Sequence, residues 1–166
     1  MDEEKIFKNE ESYIYEIGAV VKDLNRTIEF FNSFGLGPFR MRLSSHNAAI
    51  VRGEKMSYQI KIAMSQQGPV QLQLLGYEGG ERIFEDFIKE KGEGLYHIGF
   101  KVKDIEKTIE KFSQKGIDIL RQDWFVGGGG VAYLDTRNIG GIIIKIIQLP
   151  VDYEPNKGVK YSKRPK

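Results

Sequence analysis

The sequence predicts an α+β fold built from two tandem β-α-β-β-β modules. Two observations carry that prediction. Residues 14 to 35, IYEIGAVVKDLNRTIEFFNSFG, align without a gap on residues 95 to 116, LYHIGFKVKDIEKTIEKFSQKG. Tyr15, Ile17, Gly18, Val21, Lys22, Asp23, Thr27, Ile28, Glu29, Phe31 and Gly35 each recur 81 positions later. Within each copy, moreover, the apolar period changes once, from two to about 3.6, as expected where a strand hands over to a helix.

The elements follow in order. Tyr15, Ile17, Ala19 and Val21 alternate as a strand, as do Tyr96, Ile98, Phe100 and Val102. Asp23 and Asp104 then stand at helix N-caps, where a carboxylate oxygen accepts from the first free amides. Leu24, Ile28 and Phe31, and likewise Ile105, Ile109 and Phe112, make one apolar stripe per helix. Gly35 and Gly116 end those helices. Strand-like segments follow at 39–43, 48–51, 58–64 and 70–75, and in the second half at 117–120, 131–135 and 141–148. Module one is set at 13–77 and module two at 94–149, together one domain over 13–149. A linker helix over 81–90 joins them, with Ile83, Phe84, Phe87 and Ile88 as its apolar face. Residues 1–12 form an N-terminal segment, and the basic tail 150–166 loses periodicity and reads as solvated and partly disordered.

Composition narrows the function classes. The chain has 166 residues, 40% of them hydrophobic, enough for one core. A net charge of +2 gives no reason to expect a nucleic-acid partner or a membrane surface. No apolar run is long enough to cross a bilayer, and the N-terminus lacks the basic-then-apolar order of a signal peptide, so a cytoplasmic location is expected. With no cysteine there is no disulfide, thiolate nucleophile or thiolate metal site.

Strand parity points to a shared polar interior. Around Glu16 the apolar Tyr15, Ile17, Ala19 and Val21 are assigned to the helix side, which turns Glu16 and Gly18 the other way. The same count turns His97, Gly99 and Lys101 away from Tyr96, Ile98 and Phe100, Gln73 away from Leu72 and Leu74, and Lys145 away from Ile144 and Ile146. Lys145 sits within Gly-Ile-Ile-Ile-Lys-Ile-Ile, a buried strand by its texture, and an ammonium there needs a partner or loses its proton.

Paired modules that open with Y-x-I-G-x-x-V-K-D and close with AYLDTRNIGGIIIKIIQ resemble the vicinal oxygen chelate superfamily over about residues 13 to 149. That superfamily includes glyoxalase I, methylmalonyl-CoA epimerase, extradiol dioxygenases and bleomycin-resistance proteins, and the texture is most similar to the epimerase-like branch. The resemblance implies one curved sheet around a central cavity, helices outside, and a homodimer. It also implies a divalent metal held by one residue from each module's first strand and one from each last strand, here Glu16, Gln73, His97 and Lys145. The pattern of that branch would have histidine at position 16 and glutamate at 145. Lysine as an ammonium has no lone pair for a metal and repels a cation. Two readings follow: a weakly bound divalent metal on Glu16, Gln73 and His97, or no metal, with Lys145 in its place and paired to Glu16.

The function expected from the resemblance is proton abstraction α to the carbonyl of a small acyl-CoA or acid. Glu16, His97 and Lys145 are the catalytic candidates, and Gln73, Lys101 and Tyr133 the substrate-binding ones. A non-catalytic protein that sequesters a small acid or acyl compound, like the resistance proteins of the same superfamily, is the second reading, and a glyoxalase-type lyase the third, disfavoured by the altered metal set. Arg40, Arg42 and Lys61 are further candidates for an anionic ligand, although scattered strand cations more often form solvated faces. His46, in the polar SSHN stretch, reads as an exposed turn residue, and Gly127 to Gly130 as a hairpin rather than a phosphate loop.

Overall fold

The computed structural model describes residues 5–7, 13–77, 82–138, 140–154 and 159–162. Its elements run β1 (Tyr13–Val21), α1 (Leu24–Asn32), β2 (Arg40–Val51), β3 (Glu54–Gln67), β4 (Val70–Gly76), α2 (Arg82–Lys91), β5 (Gly94–Lys101), α3 (Ile105–Gln114), β6 (Ile119–Phe125), β7 (Gly130–Leu134), β8 (Ile143–Gln148) and β9 (Tyr161–Ser162). Each half of the chain thus contributes β-α-β-β-β. The strands form one sheet in the order β2-β3-β4-β1-β5-β8-β7-β6-β9, and a further pairing of β2 with β6 closes eight of them into a ring. Inside that ring the halves mirror each other: β1 runs parallel to β4, β5 parallel to β8, and β1 antiparallel to β5.

The repeated local signals act as their chemistry demands. Asp23 accepts from the Arg26 amide at 2.9 Å and Asp104 from the Lys107 amide at 3.0 Å, so each N-cap relieves an orphan donor. At the far ends, Gly35 and Gly116 take positive φ, and the amides of Leu36 and Ile117 return to the carbonyls of Phe31 and Phe112. The apolar stripes then bury themselves on the outside of the ring. Leu24 and Ile28 pack with Val21, Ala63 and Leu74, and Ile105 and Ile109 pack with Val102, Leu134 and Ile146.

A third cluster fills the interior, where Ile60, Ile62, Val131, Ile143 and Ile147 meet Phe84 of α2. Phe84 has no exposed surface, and its burial stabilises the fold by about 2–3 kcal/mol. Tyr96 meets Phe84 and Phe87 edge-on at 5.2 Å each. This corrects the simple alternation expected for β5. Between Gly18 and Ala19 the β1–β5 register slips, so that Gly18 faces His97 while Ala19 faces Leu95. Tyr96 is the extra residue and swings towards α2. A second slip between Ile14 and Glu16 turns Tyr15 into the cavity instead of towards α1.

Two further expectations change. The segments at 39–43 and 48–51 are one long strand, β2, with an irregularity between His46 and Ala49. His46 therefore sits mid-strand, buried at 1% exposure, rather than in an exposed turn. The tail is also partly structured. Tyr161 and Ser162 pair with Phe125 and Trp124 on the β6 edge that β2 uses further back, at Arg121 and Gln122. Gly127 to Gly129 do form the β6–β7 hairpin turn. Among the described residues no helix is long and apolar enough to cross a membrane.

Candidate functional site

The ring encloses a cavity of about 320 Å³. Adjacent first strands bring Glu16 and His97 together, and the last strands β4 and β8 flank them with Gln73 and Lys145. His97 Nε2 lies 3.1 Å from Glu16 Oε1, and Lys145 Nζ donates to that same oxygen. Gln73 Nε2 donates to Glu16 Oε2 at 2.8 Å and to Gln71 Oε1 at 2.7 Å. Glu16, His97, Lys145 and Gln73 are all buried, at 1%, 0%, 6% and 7% exposure. The carboxylate is thus held by three side-chain donors.

Glycines retained in both repeats make the room. Gly99 faces Glu16 across the β1–β5 pair, and Gly18 faces His97. A Cβ on Gly99 would stand 2.4 Å from Glu16 Cγ, and one on Gly18 would stand 2.2 Å from His97 Cε1. Gly18→Ala is therefore expected to destabilise the fold by about 1–3 kcal/mol and to displace the imidazole. Urea unfolding would measure the loss, and a wild-type midpoint in the variant would contradict the close approach.

The electrostatics follow from burial and pairing. Burial alone would raise the Glu16 carboxyl, but the Lys145 ammonium and the His97 hydrogen bond outweigh it and hold the group down at about 2. Burial pushes His97 the other way, down to about 4 against the opposing Glu16 hydrogen bond, so the imidazole is neutral near pH 7. Neutral His97 donates through Nε2, and its buried Nδ1 has no partner among the described residues. His97 does not line the cavity; it stands behind Glu16. Lys101, at the end of β5 opposite Tyr13 and Ile147, does not line it either. Tyr133 does, with its ring 5.2 Å from Lys145 Nζ and edge-on to His97.

A second polar cluster occupies the same interior, and sequence reasoning missed it. Ser44 Oγ donates to His46 Nε2 at 3.0 Å, and His46 Nδ1 donates to Asp123 Oδ1 at 3.0 Å. Asp123 Oδ2 also lies 3.1 Å from Arg121 Nε, out of line for a hydrogen bond, so that contact is ionic. Burial lowers His46, which is neutral despite its aspartate; burial would raise Asp123, but His46 and Arg121 lower it. The imidazole packs against the rings of Tyr58 and Tyr161, 4.5 and 3.9 Å away. Arg121 Cζ sits 3.9 Å from the centre of the Tyr133 ring. Arg40, Arg42, His46 and Arg121 line the cavity, whereas Lys61 and the buried Trp124 do not. One signal was legible: Arg40, Arg42, Ser44 and His46 share a strand face at period two, as do Arg121 and Asp123.

The donor set tests the metal reading. Of the three candidate ligands, Glu16 gives Oε1 to Lys145 and His97, Gln73 turns its NH₂ rather than its oxygen to the centre, and His97 presents N–H. A divalent ion at Glu16 would meet the Lys145 ammonium at bonding distance. Among the described residues no three His, Cys, Asp or Glu side chains are grouped to hold a metal. These residues do not fit a divalent cation.

Known proteins agree with this architecture. A curated relative, the uncharacterized protein YqjC of Bacillus subtilis (strain 168), is 22% identical over 91 residues, which cover 54% of this chain and 65% of that protein. The match thus spans just under two thirds of that relative's length. A solved hypothetical protein from Bacillus halodurans C-125 superposes with a TM-score of 0.61 at 22% identity, covering 86% of this chain and 98% of its own. A Streptomyces coelicolor methylmalonyl-CoA epimerase variant, in complex with 2-nitronate-propionyl-CoA, gives 0.65 at 21% identity, covering 87% and 99%. The family model for the Glyoxalase/Bleomycin resistance protein/Dioxygenase superfamily matches residues 15–134. With a ring of two β-α-β-β-β halves and a match over most of its length, the chain belongs to the Glyoxalase/Bleomycin resistance protein/Dioxygenase superfamily.

Proposed function

We propose that the protein catalyses proton abstraction α to the carbonyl of a small acid or acyl-CoA, as an epimerase-like isomerase that works without a metal. The observation that carries this reading is the Glu16–Lys145 pair in the cavity wall. Removing a proton α to a carbonyl needs a base near the carbon and a positive group near the oxygen that becomes an enolate. Glu16 supplies the carboxylate and Lys145 the cation. A carboxylate held near 2 is a weak base while Lys145 donates to it. When a substrate carbonyl takes the Lys145 hydrogen bond, Glu16 loses its main charge partner and gains basicity where it is needed. His97 is a positioning residue here, fixing Oε1 from behind, and Gln73 fixes Oε2.

The low basicity of resting Glu16 favours a second reading, in which the cavity binds an anionic ligand without turning it over. Arg40, Arg42 and Arg121 would serve either reading. Exchange of the α-hydrogen into D₂O, followed by NMR over a panel of small acids and acyl-CoAs, separates the two. Catalysis predicts exchange that falls about 100-fold or more in Glu16→Gln and is lost in Lys145→Ala. Ligand retention with no exchange would leave sequestration standing. From the superfamily resemblance we also propose a homodimer, which analytical ultracentrifugation would test.

A further inference from the structure

Lys145 is more than a fixed charge by its placement. Its primary amine stands in the cavity wall, where Ile147 on its own strand and Val131 on β7 also line the space. Its Nζ donates to the Glu16 carboxylate, an acceptor able to take a proton from it. A second cation, the guanidinium of Arg121, lies against the same Tyr133 ring, 3.9 Å from its centre where Lys145 Nζ is 5.2 Å away. An amine that faces the cavity and is hydrogen-bonded to a carboxylate able to take its proton is placed to act as a nucleophile. Arg42 adds a second guanidinium, with an Nε that is buried and has no partner among the described residues. Arg121 and Arg42 line the same cavity as Lys145, Glu16 and Tyr133, and their guanidinium groups are donors suited to a carboxylate. A cavity of about 320 Å³ is at the small end for ligand sites and suits a short acid.

We propose that Lys145 forms an iminium with the ketone of a small 2-oxo acid, whose carboxylate is read by Arg121 and Arg42. This inference rests on the proton-abstraction reading above and specifies its substrate class. In the first step the entering ketone breaks the Lys145–Glu16 pair, which restores basicity to the carboxylate; Lys145 then passes a proton to Glu16, and the freed nitrogen pair adds to the carbonyl carbon to give a carbinolamine. Glu16 returns its proton to the departing hydroxyl, which leaves as water, and the C=N⁺ bond forms. Glu16, again a carboxylate, takes a proton from the adjacent carbon, and the C–H electrons move to make the enamine. Return of a proton to that carbon and addition of water release the oxo acid and the amine. No oxidant or reductant is consumed. A thioester in the same place would acylate the lysine and expel its thiol, so this route selects ketones over acyl-CoAs.

Sodium cyanoborohydride with pyruvate tests the inference on the full chain. The expected result is one reduced pyruvate per chain, mapped by peptide mass spectrometry to Lys145. It should be missing in Lys145→Arg, which keeps a cation against Glu16 but forms no iminium. Circular dichroism would verify that this variant is folded, and Lys145→Met serves as a second adduct-free control. Adducts scattered over surface lysines, with Lys145 unmodified, would overturn the proposal. Exchange of the pyruvate methyl hydrogens without an adduct at Lys145 would also overturn it, while the proton-abstraction reading would stand. An adduct at Lys145 with no exchange would keep the iminium and sink that earlier reading instead.

Discussion

Lys145→Met is expected to destabilise the protein by about 3–5 kcal/mol, since removing one member of a buried ion pair strands the other. Glu16 has 1% of its surface exposed and a carboxyl held near 2 chiefly by Lys145 against the pull of burial. Without the cation, the buried carboxyl loses its main charge partner. The carboxyl must take up a proton or remain as a buried, uncompensated charge. For a chain of this size the loss corresponds to roughly 10 °C in Tm. The double variant Glu16→Gln, Lys145→Met removes both charges and keeps an acceptor oxygen at position 16 for His97 or Gln73. It is expected to recover most of the loss, because a buried pair costs about as much to desolvate as its attraction returns. Denaturant titration of the two single variants and the double gives the coupling directly. Additive losses, with no recovery in the double, would show that Glu16 and Lys145 do not compensate each other.

The double-variant cycle probes a relationship that could be framed from the sequence, whereas other parts of the cavity could not. Glu16, His97, Gln73 and Lys145 lie on strands that the repeat makes neighbours, so a parity count of two per strand brings them to one face. The count fails at Tyr15 and Tyr96, where each strand carries one extra residue. A bulge is a property of the pair of strands, and neither sequence alone announces it. The helix caps and stripes were legible because their causes are local, within four residues of each other.

His46 shows the opposite case. Its neighbours Ser45 and Asn47 are polar, so local composition argues for an exposed turn. What buries it is Asp123, 77 residues away on β6, together with the rings of Tyr58 and Tyr161. A polar strand residue enters a core only when such a partner meets it, and the partner is fixed by the ring closure between β2 and β6. Tyr161 was hidden for a related reason. Two residues of strand carry almost no periodic signal, and they are ordered by the open part of a β6 edge that exists only after the ring has formed. The interior therefore has one polar pole that descends from the repeat and another that arises from its closure.

Both poles contain a buried neutral histidine, and this makes stability fall steeply in mild acid. Burial holds His97 at about 4 and also lowers His46, while an unfolded histidine titrates near 6.5. Between those values the unfolded chain binds more protons than the folded one, so stability decreases as pH falls from about 6.5 to 4. His97 alone accounts for a loss on the order of 3 kcal/mol across that window. The carboxylates extend the trend downward. Glu16 is depressed from 4.5 to about 2 and Asp123 is also lowered, so each unfolded carboxyl protonates first, and their stabilisation drains as pH drops through the folded values. No compensating gain is expected from either histidine in this range. The chain has two histidines, so every imidazole signal in an NMR titration reports on one of these sites. His97 is expected to keep a neutral chemical shift at pH 5.5 and His46 to titrate below 6.5, and urea midpoints should decline from pH 7 to 4. In His97→Gln, which keeps an N–H for Glu16 but cannot titrate, that decline should be shallower by the His97 share. Two imidazoles titrating near 6.5, with a flat stability profile down to pH 5, would be incompatible with buried neutral histidines hydrogen-bonded to Glu16 and Asp123.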